Sequence, residues 1–150
     1  MVDPIKKILL KHPSNAFLNQ RNINKQYLKL NYLAAPNFNS AISDYEKFVD
    51  LLKSFDIEIH YLPKDNSTSL DSIYTHDPCV VSNKGVVICN MGKKARRSEV
   101  DSIETFFHSI EVPILGKIQS PGTLEGGDIV WINEKTIAIG EGYRTNKEGI

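Results

Sequence analysis

Three things are scarce in this sequence: unbalanced charge, long apolar runs and cysteine. Lysine plus arginine number 18, as do aspartate plus glutamate, so the formal charge is zero. A chain without basic excess lacks the electrostatic footprint of a nucleic-acid or membrane-surface binder. The basic cluster Lys93, Lys94, Arg96 and Arg97 is short, has no interleaved aromatics, and reads as a solvated helix entrance. The apolar run within residues 1–10 is too short for a signal peptide or a membrane span, so neither is expected. The two cysteines, Cys79 and Cys89, fall on the two strands of one expected hairpin. Small buried thiols in a reducing cytosol are the expectation, and a cytoplasmic protein with it; a cross-strand disulfide is the alternative. No linker or low-complexity stretch divides the chain, and 150 residues suffice for one domain with its own core.

What is present is a repeated order. Residues 125–128 read Glu-Gly-Gly-Asp, followed by an apolar run at 129–132, a turn at 133–135 and a second apolar run at 136–139. Arg144 and Thr145 follow, with an acid at Glu148. Earlier, His76, Asp77 and Pro78 precede an apolar run at 79–81, a turn at 82–85 and another run at 86–89, then Arg96, Ser98 and Glu99. Both segments run acid, strand, tight turn, strand, arginine, helix start, at an offset of about fifty residues, a period seen in repeat architectures. In an antiparallel hairpin the first strand begins where the second ends. Asp77 is therefore expected on one rim with Arg96, and Glu125 and Asp128 on one rim with Arg144. Packed side by side, two such units gather carboxylates and guanidiniums at one end of the fold, suited to a small zwitterion. The competing reading is structural: Asp and Gly make turns, and Arg beside Ser or Thr opens a helix.

Around these hairpins the pattern predicts a strand at 8–10, an amphipathic helix at 40–55 capped by Ser40, and an alternating strand at 57–62. The helix carries Ile42, Tyr45, Phe48, Val49, Leu52 and Phe55 on one stripe. A second helix is predicted over 98–108, with Val100, Ile103, Phe106 and Phe107 inward, then a strand at 112–118 and a third helix opening at Thr145. Residues 12–38, polar and holding Pro13 and Pro36, show no sustained period and read as a lid or binding loop, or as a surface excursion.

The segments Leu70-Asp71-Ser72-Ile73-Tyr74-Thr75-His76-Asp77-Pro78, Arg96-Arg97-Ser98-Glu99, Leu124-Glu125-Gly126-Gly127-Asp128 and Gly140-Glu141-Gly142-Tyr143-Arg144-Thr145-Asn146 resemble the guanidine-modifying enzymes. The nearest resemblance is to the dimethylarginine dimethylaminohydrolase branch, with arginine deiminases and amidinotransferases more distant. The resemblance implies a pentein-type α/β propeller of ββαβ repeats, of which this chain would hold about three of five units, as the N-terminal part of a single propeller domain. It implies hydrolysis of a guanidinium C–N bond through a covalent cysteine intermediate, with histidine as acid and base.

Carried over by motif, Glu125 resembles the glutamate that orients the histidine and faces the guanidinium. Asp77 resembles the aspartate bonded to the guanidinium, Asp71 the acid at the α-amino group, and Arg96 with Arg144 the pair at the α-carboxylate. The segment Asn31-Tyr32-Leu33 would be the lid, with Leu33 against the ligand. His76 stands where dimethylarginine hydrolases commonly carry an acid and deiminases an arginine. None of His12, His60, His76, His108, Cys79 or Cys89 matches the family's catalytic histidine or nucleophile, which are expected beyond residue 150, so the isolated chain is expected to be inactive. The expected partner is a small guanidino amino acid, with no cofactor, no nucleic acid and no membrane, and a homodimer of the longer protein. Arginine deiminase-like or amidinotransferase chemistry is the alternative, as is a non-catalytic binding module, since the same propeller also serves a ribosome anti-association factor. A magnesium or calcium site on Asp71, Asp77, Glu125 and Asp128 would be opposed by two arginines at the same rim.

Overall fold

A computed structural model describes residues 4–150; the first three residues of the short apolar segment at 1–10 lie outside the described residues. Two compact units are present, Ile5–Tyr74 and one built on Thr75–Ile150.

In the first unit, β1 (Lys7–Leu10) pairs in parallel with β2 (Glu58–Tyr61), from Lys7 opposite Glu58 to Leu10 opposite Tyr61. Parallel pairing demands a crossover. It contains α1 (Pro13–Ala16), α2 (Gln20–Gln26) and α3 (Phe38–Lys53). Residues 12–38 are thus not an irregular excursion. Helices of four and seven residues are too short to show a period, and tertiary packing sustains them instead. His12 caps α1 by accepting from the Ser14 N–H, and Asn19 caps α2 by accepting from the Asn22 N–H. Ala16, Phe17, Ile23 and Leu30 form a buried cluster with Leu70. The α3 cap is Asn37 rather than Ser40: the Ser40 N–H donates to the Asn37 side chain, and the helix starts at Phe38. Of its apolar stripe only Val49 is buried, whereas Phe48 and Phe55 are exposed.

The second unit holds a complete ββαβ repeat. β3 (Cys79–Ser82) and β4 (Gly85–Ile88) form the expected hairpin, and α4 (Ser98–Ser109) returns the chain to β5 (Ile114–Lys117), parallel to β4. Ile103 and Phe107 are buried, whereas Val100 is partly buried. Lys117 pairs with Glu104 at 2.6 Å, tying β5 to α4. The second hairpin is β6 (Ile129–Asn133) with β7 (Thr136–Ile139). Cys89, Leu124 and Ile129 form one buried cluster, with Val80, Ile118 and Ile139 packed against it, so the two hairpins share a core. Thr145 does not open a helix. Asn146 caps the 3-10 turn Lys147–Gly149, and the Thr145 hydroxyl bonds the Glu125 N–H and Asp128 instead. The fold is α/β throughout. Both cysteines are buried free thiols, and burial pushes Cys79 up to about 12 and Cys89 higher still.

Candidate functional site

The shared core of the second unit brings the two hairpin rims together. Asp77 lies just before the strand pair, and Arg96 ends a 3-10 turn, Lys94–Arg96, that follows it. The Arg96 guanidinium donates through Nη1 to the Asp77 carboxylate. Its other edge is taken by Glu99 in the first turn of α4: Nε donates to Oε1 at 3.0 Å, and Nη2 to Oε2 at 2.7 Å. Both side chains are only 4% exposed. Burial alone would lower the Arg96 guanidinium, but the hydrogen bonds and charge of Glu99, then of Asp77, hold it above the ordinary arginine value. A cation at this depth requires such partners.

The second rim is built differently. Glu125 lies in the extended residue before the turn Gly126–Asp128. Its carboxylate accepts from the Lys93 N–H at 3.0 Å and from Arg144 Nη1 at 3.0 and 3.2 Å. The Glu125 N–H donates to the Thr145 hydroxyl at 3.1 Å, and that hydroxyl donates to Asp128 at 2.6 Å. Thr145 therefore orients the backbone of one acid and the side chain of another. The Glu125 side chain is 7% exposed but that of Arg144 is 42%.

Two glycines make this convergence sterically feasible. The Gly126 N–H donates to the Asp77 carbonyl at 2.8 Å, and a Cβ at Gly126 would collide with the His76 and Cys79 carbonyls. A Cβ at Gly92 would stand 2.6 Å from the Arg144 Cα. Gly126 is thus a place of close backbone approach, beyond a turn signal.

The rim expectation is met: Asp77 sits with Arg96, and Glu125 and Asp128 sit with Arg144 and its neighbour Thr145. Neither arginine stands free for an incoming anion, however; each already carries a carboxylate. Glu99 and Thr145 read in the sequence only as helix-start residues. The signal for Glu99 was its spacing, since residues three apart on a helical turn are neighbours. Among the described residues no group of three or more His, Cys, Asp or Glu side chains is arranged to hold a metal ion, and no helix is long and apolar enough to cross a membrane.

In the first unit, the turn Leu70–Ile73, capped by Ser69, carries Asp71 to 3% exposure. The Tyr32 phenol is pushed up by burial, then by the Asp71 charge and by Tyr74. Leu33 is fully exposed. Tyr32 is thus the member of the 31–33 segment that senses Asp71.

The family model for arginine deiminase matches residues 67–150. The chain belongs to the arginine deiminase family. It is 30% identical over 122 residues to an N(G),N(G)-dimethylarginine dimethylaminohydrolase of Pseudomonas aeruginosa, covering 81% of this chain and 47% of that one. An arginine deiminase of Listeria welshimeri is 37% identical over 83 residues, 51% of this chain and 20% of that one. A solved structure of the Pseudomonas aeruginosa enzyme, a cysteine-to-serine mutant complexed with citrulline, superposes with a TM-score of 0.79 at 27% identity over 98% of this chain and 54% of that one. The N-terminal domain of a cyanobacterial arginine dihydrolase shares the fold, with a TM-score of 0.77 at 14% identity over 97% of this chain and 52% of that one. This family member lies on the dimethylarginine dimethylaminohydrolase branch and has the pentein fold. It spans about half the length of the Pseudomonas aeruginosa relative, at 47%.

Proposed function

We propose that this chain supplies the substrate-recognition part of a hydrolase acting on the guanidinium group of arginine or a methylated arginine. One observation carries the reading: two hairpins of the same residue order deliver Asp77 with Arg96, and Glu125 with Arg144, to one shared core. A planar cation with several N–H donors needs fixed carboxylate acceptors, and an α-carboxylate needs guanidinium donors. In this reading Asp77 and Glu125 face the guanidinium, Arg96 and Arg144 the α-carboxylate, Asp71 the α-amino group, and the 31–33 segment with Leu33 closes over the ligand. The citrulline complex of the Pseudomonas aeruginosa enzyme supports a ligand of this class.

The proposed chemistry is covalent. A cysteine thiolate attacks the guanidinium carbon, a histidine oriented by Glu125 protonates the departing amine, and water then cleaves the C–S bond to leave the ureido product. That cysteine and histidine belong to the longer protein. Cys79 and Cys89 are unsuited, because a thiol held protonated by burial is a poor nucleophile. We further read residues 1–150 as part of a single propeller domain in a cytoplasmic protein that can pair as a homodimer and needs no cofactor. A deiminase or amidinotransferase reaction is the alternative.

Isothermal titration of the full protein with arginine, N(G),N(G)-dimethylarginine and citrulline, alongside a citrulline-release assay, tests this. Turnover of one guanidine, abolished by Glu125→Gln, is expected, while residues 1–150 alone release no citrulline. Binding without turnover by the full protein would make it a non-catalytic module, and no binding at all would overturn the reading.

A further inference from the structure

We infer that Asp128 is a positioning residue for the reaction, acting on Glu125 through the Thr145 hydroxyl, an assignment that rests on the role proposed for Glu125 above. Of the second rim's two acids, Glu125 faces the ligand in that reading and Asp128 does not. The bonds of Asp128 run to its neighbours instead. Its N–H donates to the Glu125 carbonyl at 3.0 Å, and its carboxylate accepts from the Thr145 hydroxyl at 2.6 Å. That hydroxyl accepts in turn from the Glu125 N–H at 3.1 Å. Both backbone polar groups of Glu125 are thereby tied to Asp128, one directly and one through Thr145.

Chemistry fixes the direction of each bond. An amide N–H can only donate, so it takes a lone pair of the hydroxyl oxygen; a carboxylate can only accept, so it takes the hydroxyl proton. Asp128 therefore sets the rotor of Thr145, and at 0% exposure that residue has no solvent competing for either bond. The neighbouring amides are held by backbone: the Leu124 N–H donates to the Asn90 carbonyl at 2.9 Å, and the Gly126 N–H to the Asp77 carbonyl at 2.8 Å. Glu125, between them, has its amide held by a side chain. Because the peptide unit is rigid, the direction of that N–H sets the plane entering the Glu125 Cα, and with it the line along which the side chain leaves. The Lys93 N–H fixes the carboxylate end at 3.0 Å. Thr145 and Asp128 thus fix the base of a side chain whose tip is fixed by other groups.

The consequence falls on chemistry more than on binding. In the substrate reading the ligand contacts are shared among Asp71, Asp77, Arg96 and Arg144 as well as Glu125, whereas the histidine is oriented by Glu125. A small turn of Glu125 therefore lowers kcat before it raises KM.

The test is steady-state citrulline release by the full protein, using the guanidine that wild type turns over. Thr145→Val and Asp128→Ala should each lower kcat about tenfold, with KM within about twofold of wild type. Thr145→Ser, which keeps the hydroxyl, should hold kcat within about threefold of wild type. In the Thr145→Val background Asp128→Ala should have no further effect, since the hydroxyl it acts through is gone. Asp128→Asn keeps the side-chain volume and a neutral acceptor, and guards against a folding defect in the alanine variant. It should lower kcat about threefold, and not at all once Thr145 is replaced by valine. An Asp128 effect of equal size in both backgrounds, a raised KM at wild-type kcat, or a wild-type kcat in folded Thr145→Val would overturn the inference alone. Wild type that releases no citrulline would overturn the substrate reading and the positioning role with it.

Discussion

The two hairpin rims begin from the same residue order and end in different physical states. After β4 the chain enters α4, whose first turn supplies Glu99, and Arg96 becomes a buried cation locked between two acids. After β7 it passes through Arg144, which lies half-exposed with its Nη1 on the single acid Glu125. A matching residue order thus specifies which charges meet, while a second buried acid, Glu99, makes the first pair the more firmly held.

The largest effect should come from breaking the locked rim. Glu99→Gln leaves Arg96 buried with one carboxylate fewer, and a loss of about 3 kcal/mol is expected in urea unfolding, the scale for orphaning a buried charge. A loss no greater than that of an exposed pair would mean the two rims are equivalent. Next, Thr145→Val removes the hydroxyl that joins Glu125 to Asp128, with an expected cost of about 2 kcal/mol from a buried N–H and a partly buried carboxylate left unpaired. If its melting curve coincides with that of wild type, the second rim is not organised through Thr145.

The smallest effect is one of pH, and it belongs to the first hairpin and its thiols. The native Cys79 thiol holds its proton up to about 12, against 9.0 unperturbed. A raised native value means stabilisation that is complete below pH 9 and is lost progressively as pH rises towards 12. Raising the pH to 10 should remove about 1 kcal/mol of stability, and Cys79→Ala should flatten that part of the dependence. An unchanged slope in the variant would assign the alkaline loss to other groups, such as Cys89, raised further by burial, and Tyr45, which burial likewise raises to about 12.

Much of the second unit was legible in sequence. Short apolar runs separated by Ser-Asn-Lys-Gly and Asn-Glu-Lys turns announce hairpins, and Ile103 with Phe107 marks a helix face. The pairing of Asp77 with Arg96 and of Glu125 with Arg144 followed from hairpin geometry. The first unit was less legible. α1 and α2 are too short to carry a period, and their packing draws on Leu70, distant in sequence. The Asn37 cap was missed because Ser40 is an equally good capping residue by type, and which one accepts depends on where the backbone turns helical. Phe48 and Phe55 fit an apolar stripe but are exposed, since a periodic pattern names a face without naming what covers it.

Strand period, turn chemistry and hairpin registry are local properties, so residue order alone was enough for the hairpin, helix and strand order of the second unit and for the identity of the charged groups at the rims. How those charges are partnered needed the folded chain. That Glu99 locks Arg96, that Thr145 ties Glu125 to Asp128, and that Arg144 rests on the acid proposed for the ligand all depend on burial and on distances between segments separated in the chain. Those quantities set the dielectric and the competition around each charge, and no residue's type encodes them alone.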